Sequence, residues 1–187
     1  MGYSDTNYVF AYASLMWDGP SMAGIVRTIP ATLKGYSREM CIKSYVYRGT
    51  RENPGLCMGL KHSPGGHCDG MVLEMDREQM KDTLRRIDQR ELVMGAYTRE
   101  EVVVRTVDGQ ELLCYTYVVN EAADNYTGEI SEDEKIRLIC TGVGQKGPSI
   151  DYLVNLVMQL EEMGLDPGHL APLLRRCREK LARGPAH

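Results

Sequence analysis

The sequence predicts an α+β fold: a mixed or antiparallel sheet that could close partly, with helices packed outside it. Three observations carry this. Strand-like and helix-like segments do not alternate strictly, which disfavours a doubly wound parallel sheet. The strand-like segments all precede residue 120, with one helical pattern among them. Three amphipathic helical patterns then fill the rest of the chain.

The elements follow in order. Asn7 to Tyr12 reads as a short buried strand, and FAYASLMWD, from Phe10 to Asp18, holds the only phenylalanine and the only tryptophan of the chain. Small Ala13 and Ser14 interrupt it before Leu15, Met16 and Trp17. This is either a tight turn with a hydrophobic plug or a loop whose backbone amides stay bare for a ligand. Residues 31–42 and 56–60 mix alternating apolar positions with strand formers. Between them RGTRENPG, Arg48 to Gly55, is too long and too charged for a simple hairpin turn, and a functional loop and a structural one are both open. Gly70 to Met75 gives another strand. Val102 to Thr106 faces Leu112 to Val119 across Asp108-Gly109, a dipeptide suited to a type I′ turn. Helices are expected over Ser131–Cys140, over Asp151–Met163 with Leu153, Leu156, Val157 and Leu160 on one face, and over Pro167–Leu181. The last carries Leu170, Leu173, Leu174, Cys177 and Leu181.

With 187 residues, one domain over 1–187 is the working expectation. The 22 basic and 26 acidic residues are interspersed and leave a net charge of −4, so no basic face is offered to nucleic acid or membrane. No apolar run approaches a membrane span and MGYSDTNYVF lacks the regions of a secretory signal, so the expected location is the cytosol. Six cysteines, Cys41, Cys57, Cys68, Cys114, Cys140 and Cys177, form no CxxC pair and suit reduced, buried thiols rather than disulfides.

Four short motifs read as coincidental. MGYSDT fits an acylation pattern that is short and common. Asn125-Tyr126-Thr127 is a glycosylation sequon without meaning in a cytosolic protein. Gly142, Gly144 and Gly147 spell GxGxxG, yet they follow a helical segment and too little chain remains for a βαβ unit, so a flexible interhelical loop is expected. His62, His67, Cys68 and Asp69 surround a Ser-Pro-Gly-Gly turn with no second ligand pair elsewhere, and read as a solvated hairpin tip rather than a metal site.

The most informative segment is a helix expected over Arg77–Glu91. Asp76 is a good N-cap and Gln79 completes a capping box. Met80, Leu84 and Ile87 follow at spacings of four and three, and the next member of that series is Glu91. A carboxylate thus occupies a core position at a helix C-terminus, where burial and the helix dipole both favour its protonated form. It is either a poised proton-exchanging group or one half of an ion pair with Arg86, Arg90 or Arg99. Arg90 points about 100° away from the stripe and is not the obvious partner, although a bend at the helix end could bring it round.

FAYASLMWD resembles the FGYGSLxW loop of the γ-glutamylcyclotransferases, specifically the ChaC-type glutathione-specific branch. RGTRENPG resembles the second signature of that branch. RELVMGAY, Arg90 to Tyr97, resembles its catalytic RE segment, and TGVGQKGPSIDYLVNLVMQLEEMGL its closing Gly-rich loop and helix. The likeness runs in order from Val9 to about Leu174. It implies a small mixed β-barrel with peripheral helices, no cofactor or metal, a small-molecule substrate, and conversion of glutathione to 5-oxoproline and cysteinylglycine. The family's catalytic glutamate falls on Glu91. Its substrate loop falls on Ala11, Tyr12, Ala13, Ser14, Leu15 and Met16, where small residues would keep backbone N–H groups accessible while Leu15, Met16 and Trp17 anchor the loop. Arg48, Tyr97 and Tyr117 are further candidates for holding substrate carboxylates or orienting Glu91.

One residue departs from the pattern: Ala13 stands where the family loop has glycine. If that position needs positive φ, alanine would cost about 1 to 2 kcal/mol; otherwise its methyl group points at the substrate. A binding protein with impaired turnover and a cyclotransferase for other γ-glutamyl compounds are therefore the alternatives. A dinucleotide oxidoreductase is a more remote one.

Overall fold

The uninterrupted apolar run at Val9, Phe10 and Ala11 forms the buried part of β1, Tyr8–Ala11, with Tyr8 half-buried. In the computed structural model, which describes residues 6–184, β1 leads into a one-turn helix α1, Leu15–Asp18, and a 3-10 turn, Gly19–Ser21. Then come β2, Ile25–Ser44, and β3, Gly55–Met75. α2, Met80–Glu91, connects β3 to β4, Tyr97–Thr106, which turns back into β5, Glu111–Val119. α3, Glu132–Thr141, precedes two short strands, β6, Val143–Gly144, and β7, Gly147–Pro148. Helices α4, Ser149–Glu162, and α5, Leu170–Arg183, end the described chain.

Five strands close into a barrel in the order β1-β3-β2-β4-β5. It is mixed: β1 pairs antiparallel with β3, Phe10 opposite Val72, and parallel with β5, Val9 opposite Tyr115. Closure removes the exposed edges that an open sheet would leave. The α+β barrel with helices expected from the sequence is therefore the architecture observed.

The chain forms two compact units. The first comprises the residues up to Glu39 together with Leu60–Ala123, the second Met40–Gly59 together with the chain from Asp124 on. The first holds α1, α2, β1, β4 and β5, and β2 and β3 each begin in one unit and end in the other. Among its buried side chains are Phe10, Leu33, Leu73, Met75, Ile87 and Tyr117. The second holds α3, α4 and α5, whose buried stripes include Ile136, Leu138 and Ile139, then Leu153, Leu156, Val157 and Leu160, then Leu170, Leu173, Leu174 and Cys177. Leu181, expected in the last stripe, is exposed. Ser131 caps α3, its hydroxyl accepting from the Glu134 N–H at 3.2 Å, as an N-cap serine should.

Several expectations are corrected. The segment around Ser63-Pro64-Gly65-Gly66 is not a hairpin tip: β3 runs through it for 21 residues. The turn chemistry of that segment is overridden by its place between β1 and β2 in the barrel, and nearby Thr32 Oγ1 donates to Asp69 Oδ1 at 2.5 Å and Arg38 to the Asp69 carbonyl. The β4–β5 hairpin is present, with Val104 opposite Leu112, but its turn is not type I′. Only Gly109 has positive φ, and the Gly109 N–H donates to the Thr106 carbonyl across Val107 and Asp108. Asp76 does accept from the Glu78 and Gln79 N–H groups, yet residues 77–79 form a turn and regular α2 begins at Met80.

The glycines of the 142–147 segment form no flexible loop either. β6 and β7 pair, Gly144 opposite Gly147. A Cβ on Gly144 would lie 2.5 Å from the Tyr47 carbonyl carbon and the Val46 carbonyl oxygen, and one on Gly142 would lie 2.4 Å from Gly55 Cα. Glycine is required there because two stretches of backbone meet directly. The acylation-like pattern begins in residues 1–5, outside the described residues.

Candidate active site

Beyond β1 the backbone of the first unit turns sharply at Tyr12 and Ala13. Met16 N–H donates to the Ala13 carbonyl at 2.7 Å, and the Trp17 and Asp18 N–H groups donate to the Ser14 carbonyl at 3.3 and 3.0 Å. Helical geometry leaves the amides of Ala13, Ser14 and Leu15, at the start of this turn, without an intrahelical partner. Ala11 and Tyr12 are buried behind them, and Leu15 and Met16 plug the interior as expected, while Trp17 is half-buried. Ala13 is buried with its φ outside the positive region. The left-handed strain considered for Ala13 is therefore absent, and its methyl group is the whole of its departure from glycine.

Glu91 closes α2, its side chain 15% exposed. Its carboxylate Oε1 lies 3.1 Å from Arg90 Nε. Of the three arginines left open as partners by the sequence, this is the one that helical phase alone did not favour. The guanidinium sits at the end of a long flexible stem and swings back across the last turn. The same guanidinium donates from Nη2 to Ser14 Oγ at 2.9 Å and to Asp18 Oδ2 at 2.7 Å. Arg86 is engaged elsewhere, donating to the Ala23 carbonyl and to Thr83 Oγ1.

A second polar chain runs beside the first. Tyr117 is buried, and its hydroxyl donates to Asp88 Oδ1 at 2.8 Å, while the other oxygen of Asp88 pairs with Arg99. Burial pushes the Tyr117 phenol far up from its ordinary value, and the charges of Asp88 and Glu91 push the same way against the weaker pull of Arg99. Tyr117 is therefore a protonated donor at any physiological pH. Arg99 in turn lies over the Tyr115 ring, 4.9 Å from its centroid, and the Tyr12 hydroxyl donates to the Tyr117 carbonyl at 2.8 Å. Tyr97 is half-buried at the start of β4, opposite Val119. Asp88 was missed in the sequence, although a carboxylate three residues before Glu91 shares its helix face and could have been found.

Arg48 lies in the second unit. It is buried, and Nη1 donates to the Lys146 and Pro148 carbonyls at 2.7 and 3.1 Å. Its guanidinium also stands 6.0 Å from the Tyr152 ring centroid. The Arg48–Gly55 loop is further tied down by Asn53 Nδ2, which donates to the Thr141 carbonyl at 2.5 Å. In the first unit, His62 of the former metal candidates faces Glu100 at 3.4 Å and the Tyr36 ring at 4.5 Å. Among the described residues no helix is long and apolar enough to cross a membrane.

Comparison with known proteins matches residues 7–180 to the family model described as ChaC-like protein. The chain is 26% identical over 175 residues to the glutathione-specific gamma-glutamylcyclotransferase of Escherichia coli (strain K12), covering 94% of this chain and 74% of that protein. It is 28% identical over 176 residues to the glutathione-specific gamma-glutamylcyclotransferase 1 of Homo sapiens, covering 89% and 76%. Among solved structures, the fold resembles a yeast γ-glutamyl cyclotransferase specific to glutathione, with a TM-score of 0.83 at 21% identity over 92% of this chain and 95% of that one.

Proposed function

The chain belongs to the ChaC-like protein family, and from that premise we propose that it is a glutathione-specific γ-glutamylcyclotransferase, converting glutathione to 5-oxoproline and cysteinylglycine. The substrate carries its own nucleophile. The α-amine of the γ-glutamyl group attacks the γ-carbonyl carbon and closes a five-membered ring, and the bond to the cysteinyl nitrogen breaks. No water is consumed and no serine or cysteine nucleophile is needed. The enzyme has to fold the substrate, and holding a near-attack geometry contributes about 7 to 11 kcal/mol.

Glu91 is the general base and acid in this reading. Its carboxylate takes a proton from the α-ammonium group and returns one to the departing cysteinyl nitrogen, steps that together contribute about 10² to 10⁴ in rate. The amides of the Tyr12 to Leu15 turn hold the oxyanion of the tetrahedral intermediate, each donor being worth about 10² to 10³. Ala11 and Met16 shape that loop. Tyr117, committed as a donor to Asp88, orients the wall beside Glu91, and Tyr97 is a candidate for a carboxylate of glutathione. A reducing cytosol, where glutathione is abundant, fits the six free thiols.

The observation that carries the assignment of the base is the Arg90 bridge, which places the Glu91 carboxylate and the Ser14 turn on one guanidinium. The test is incubation with glutathione and detection of 5-oxoproline and cysteinylglycine by mass spectrometry, with Glu91→Gln alongside. Product from the parent and none from the folded Glu91→Gln protein is the expected result. Substantial product from Glu91→Gln would mean that the base lies elsewhere.

A further inference from the structure

In the reaction just described, two parts of the protein must act on one substrate at a fixed separation. The base must meet the α-amine while the turn amides hold the γ-carbonyl oxygen, and those parts come from chain segments more than seventy residues apart. A displacement of an ångström between them is enough to cost on the order of 10² in rate. Something has to hold them in register.

We propose that Arg90 is the positioning residue that does so. Its guanidinium is a planar fork, and it faces three acceptors on two elements. Nε faces Glu91 Oε1 at 3.1 Å on α2, while Nη2 faces Ser14 Oγ at 2.9 Å and Asp18 Oδ2 at 2.7 Å on and beside α1. The three side chains that carry charge are partly shielded, Arg90 24%, Asp18 36% and Glu91 15% exposed, so their contacts are stronger than those of a surface pair. Asp18, on Nη2, holds the cation in place while Nε meets Glu91. A single guanidinium thus fixes the rotamer of the base and its distance from the turn. A lysine would bring the same charge but a single point of contact, without the fork that spans both elements. Arg90 makes no contact with the substrate in this scheme.

The inference rests on Glu91 being the base, and the experiment separates the two. The parent, Arg90→Ala, Arg90→Lys, Asp18→Asn and Glu91→Gln proteins are assayed with glutathione for kcat and KM, with and without guanidinium ion at about tens of millimolar, below its denaturing range. The expected result for Arg90→Ala is a fall in kcat on the order of 100-fold with KM changed less than about threefold. Guanidinium ion restores a large part of that loss in Arg90→Ala and none in Glu91→Gln. Arg90→Lys, which keeps the charge and carries the test should Arg90→Ala not fold, retains KM but loses about tenfold in kcat. Asp18→Asn loses less, in the same direction. A folded Arg90→Ala or Arg90→Lys protein with kcat within about twofold of the parent, while Glu91→Gln is inactive, overturns the proposal alone. A kcat loss in Arg90→Ala that guanidinium does not restore, accompanied by an equal rise in KM, overturns it in favour of general support of the fold. Activity retained in Glu91→Gln overturns the assignment of the base instead.

Discussion

Replacing Gly142 by alanine tests the direct meeting of backbones in the second unit. Gly142 has φ −68°, a conformation any residue adopts, so alanine there suffers no backbone strain. Its Cβ would lie 2.4 Å from Gly55 Cα, and 2.7 Å from both the Gly55 nitrogen and the Arg48 carbonyl oxygen. Ordinary contact begins near 3.4 Å. The two backbones must separate by about 0.7 to 1.0 Å, and none of the three atoms is the movable end of a side chain. The cost belongs at the upper end of overpacking, about 2 to 3 kcal/mol. Urea unfolding followed by circular dichroism should show the midpoint falling by about 1 M. Gly35→Ala is the contrasting variant. Gly35 has φ +81° with open space around its Cβ position, so it measures left-handed strain alone, about 1 to 2 kcal/mol. A loss below about 0.5 kcal/mol for Gly142→Ala would refute the claim that glycine is there to let the chains touch.

Two further outcomes are expected. Ala13→Gly should leave the fold intact and raise turnover or widen substrate choice, because φ at Ala13 is not positive and the methyl group is the only change; kinetics identical to the parent would show that the methyl does not face substrate. Burial pushes the Cys114 thiol up from its ordinary value near 9 to about 12, so the unfolded chain loses this proton before the folded one does. The stabilising contribution is complete below pH 9 and is lost as pH rises toward 12. The urea midpoint should therefore decline between pH 9 and 11, and the slope should be shallower in Cys114→Ala; equal slopes would contradict the shift.

The helices of the second unit and the β4–β5 hairpin were legible because their signals are local: buried leucines at helical spacing, and an Asp-Gly pair between alternating strands. Glu91 was legible for the same reason, as a carboxylate in phase with Leu84 and Ile87. The extent of β2 and β3 was not. Ser63-Pro64-Gly65-Gly66 carries strong turn chemistry, and it is extended as part of a strand that lies between β1 and β2 in the barrel, partners distant in sequence. The role of Gly142 and Gly144 was hidden similarly, since what they make room for is the distant Val46–Gly55 backbone. Arg90 was not the obvious partner because helical phase predicts where a Cα faces, and a long side chain at a helix end is free to answer elsewhere.

That a single guanidinium answers to Ser14, Asp18 and Glu91 at once also bears on how this enzyme can change. Substitutions at 14, 18 and 90 will not act independently: a cation removed at 90 takes away the contact that Asp18 and Glu91 share, and an acid removed at 18 leaves the cation to lean more heavily on Glu91. Directed evolution toward new γ-glutamyl substrates will therefore stall if these positions are varied one at a time, and libraries that randomise all three together are the ones able to cross between working combinations.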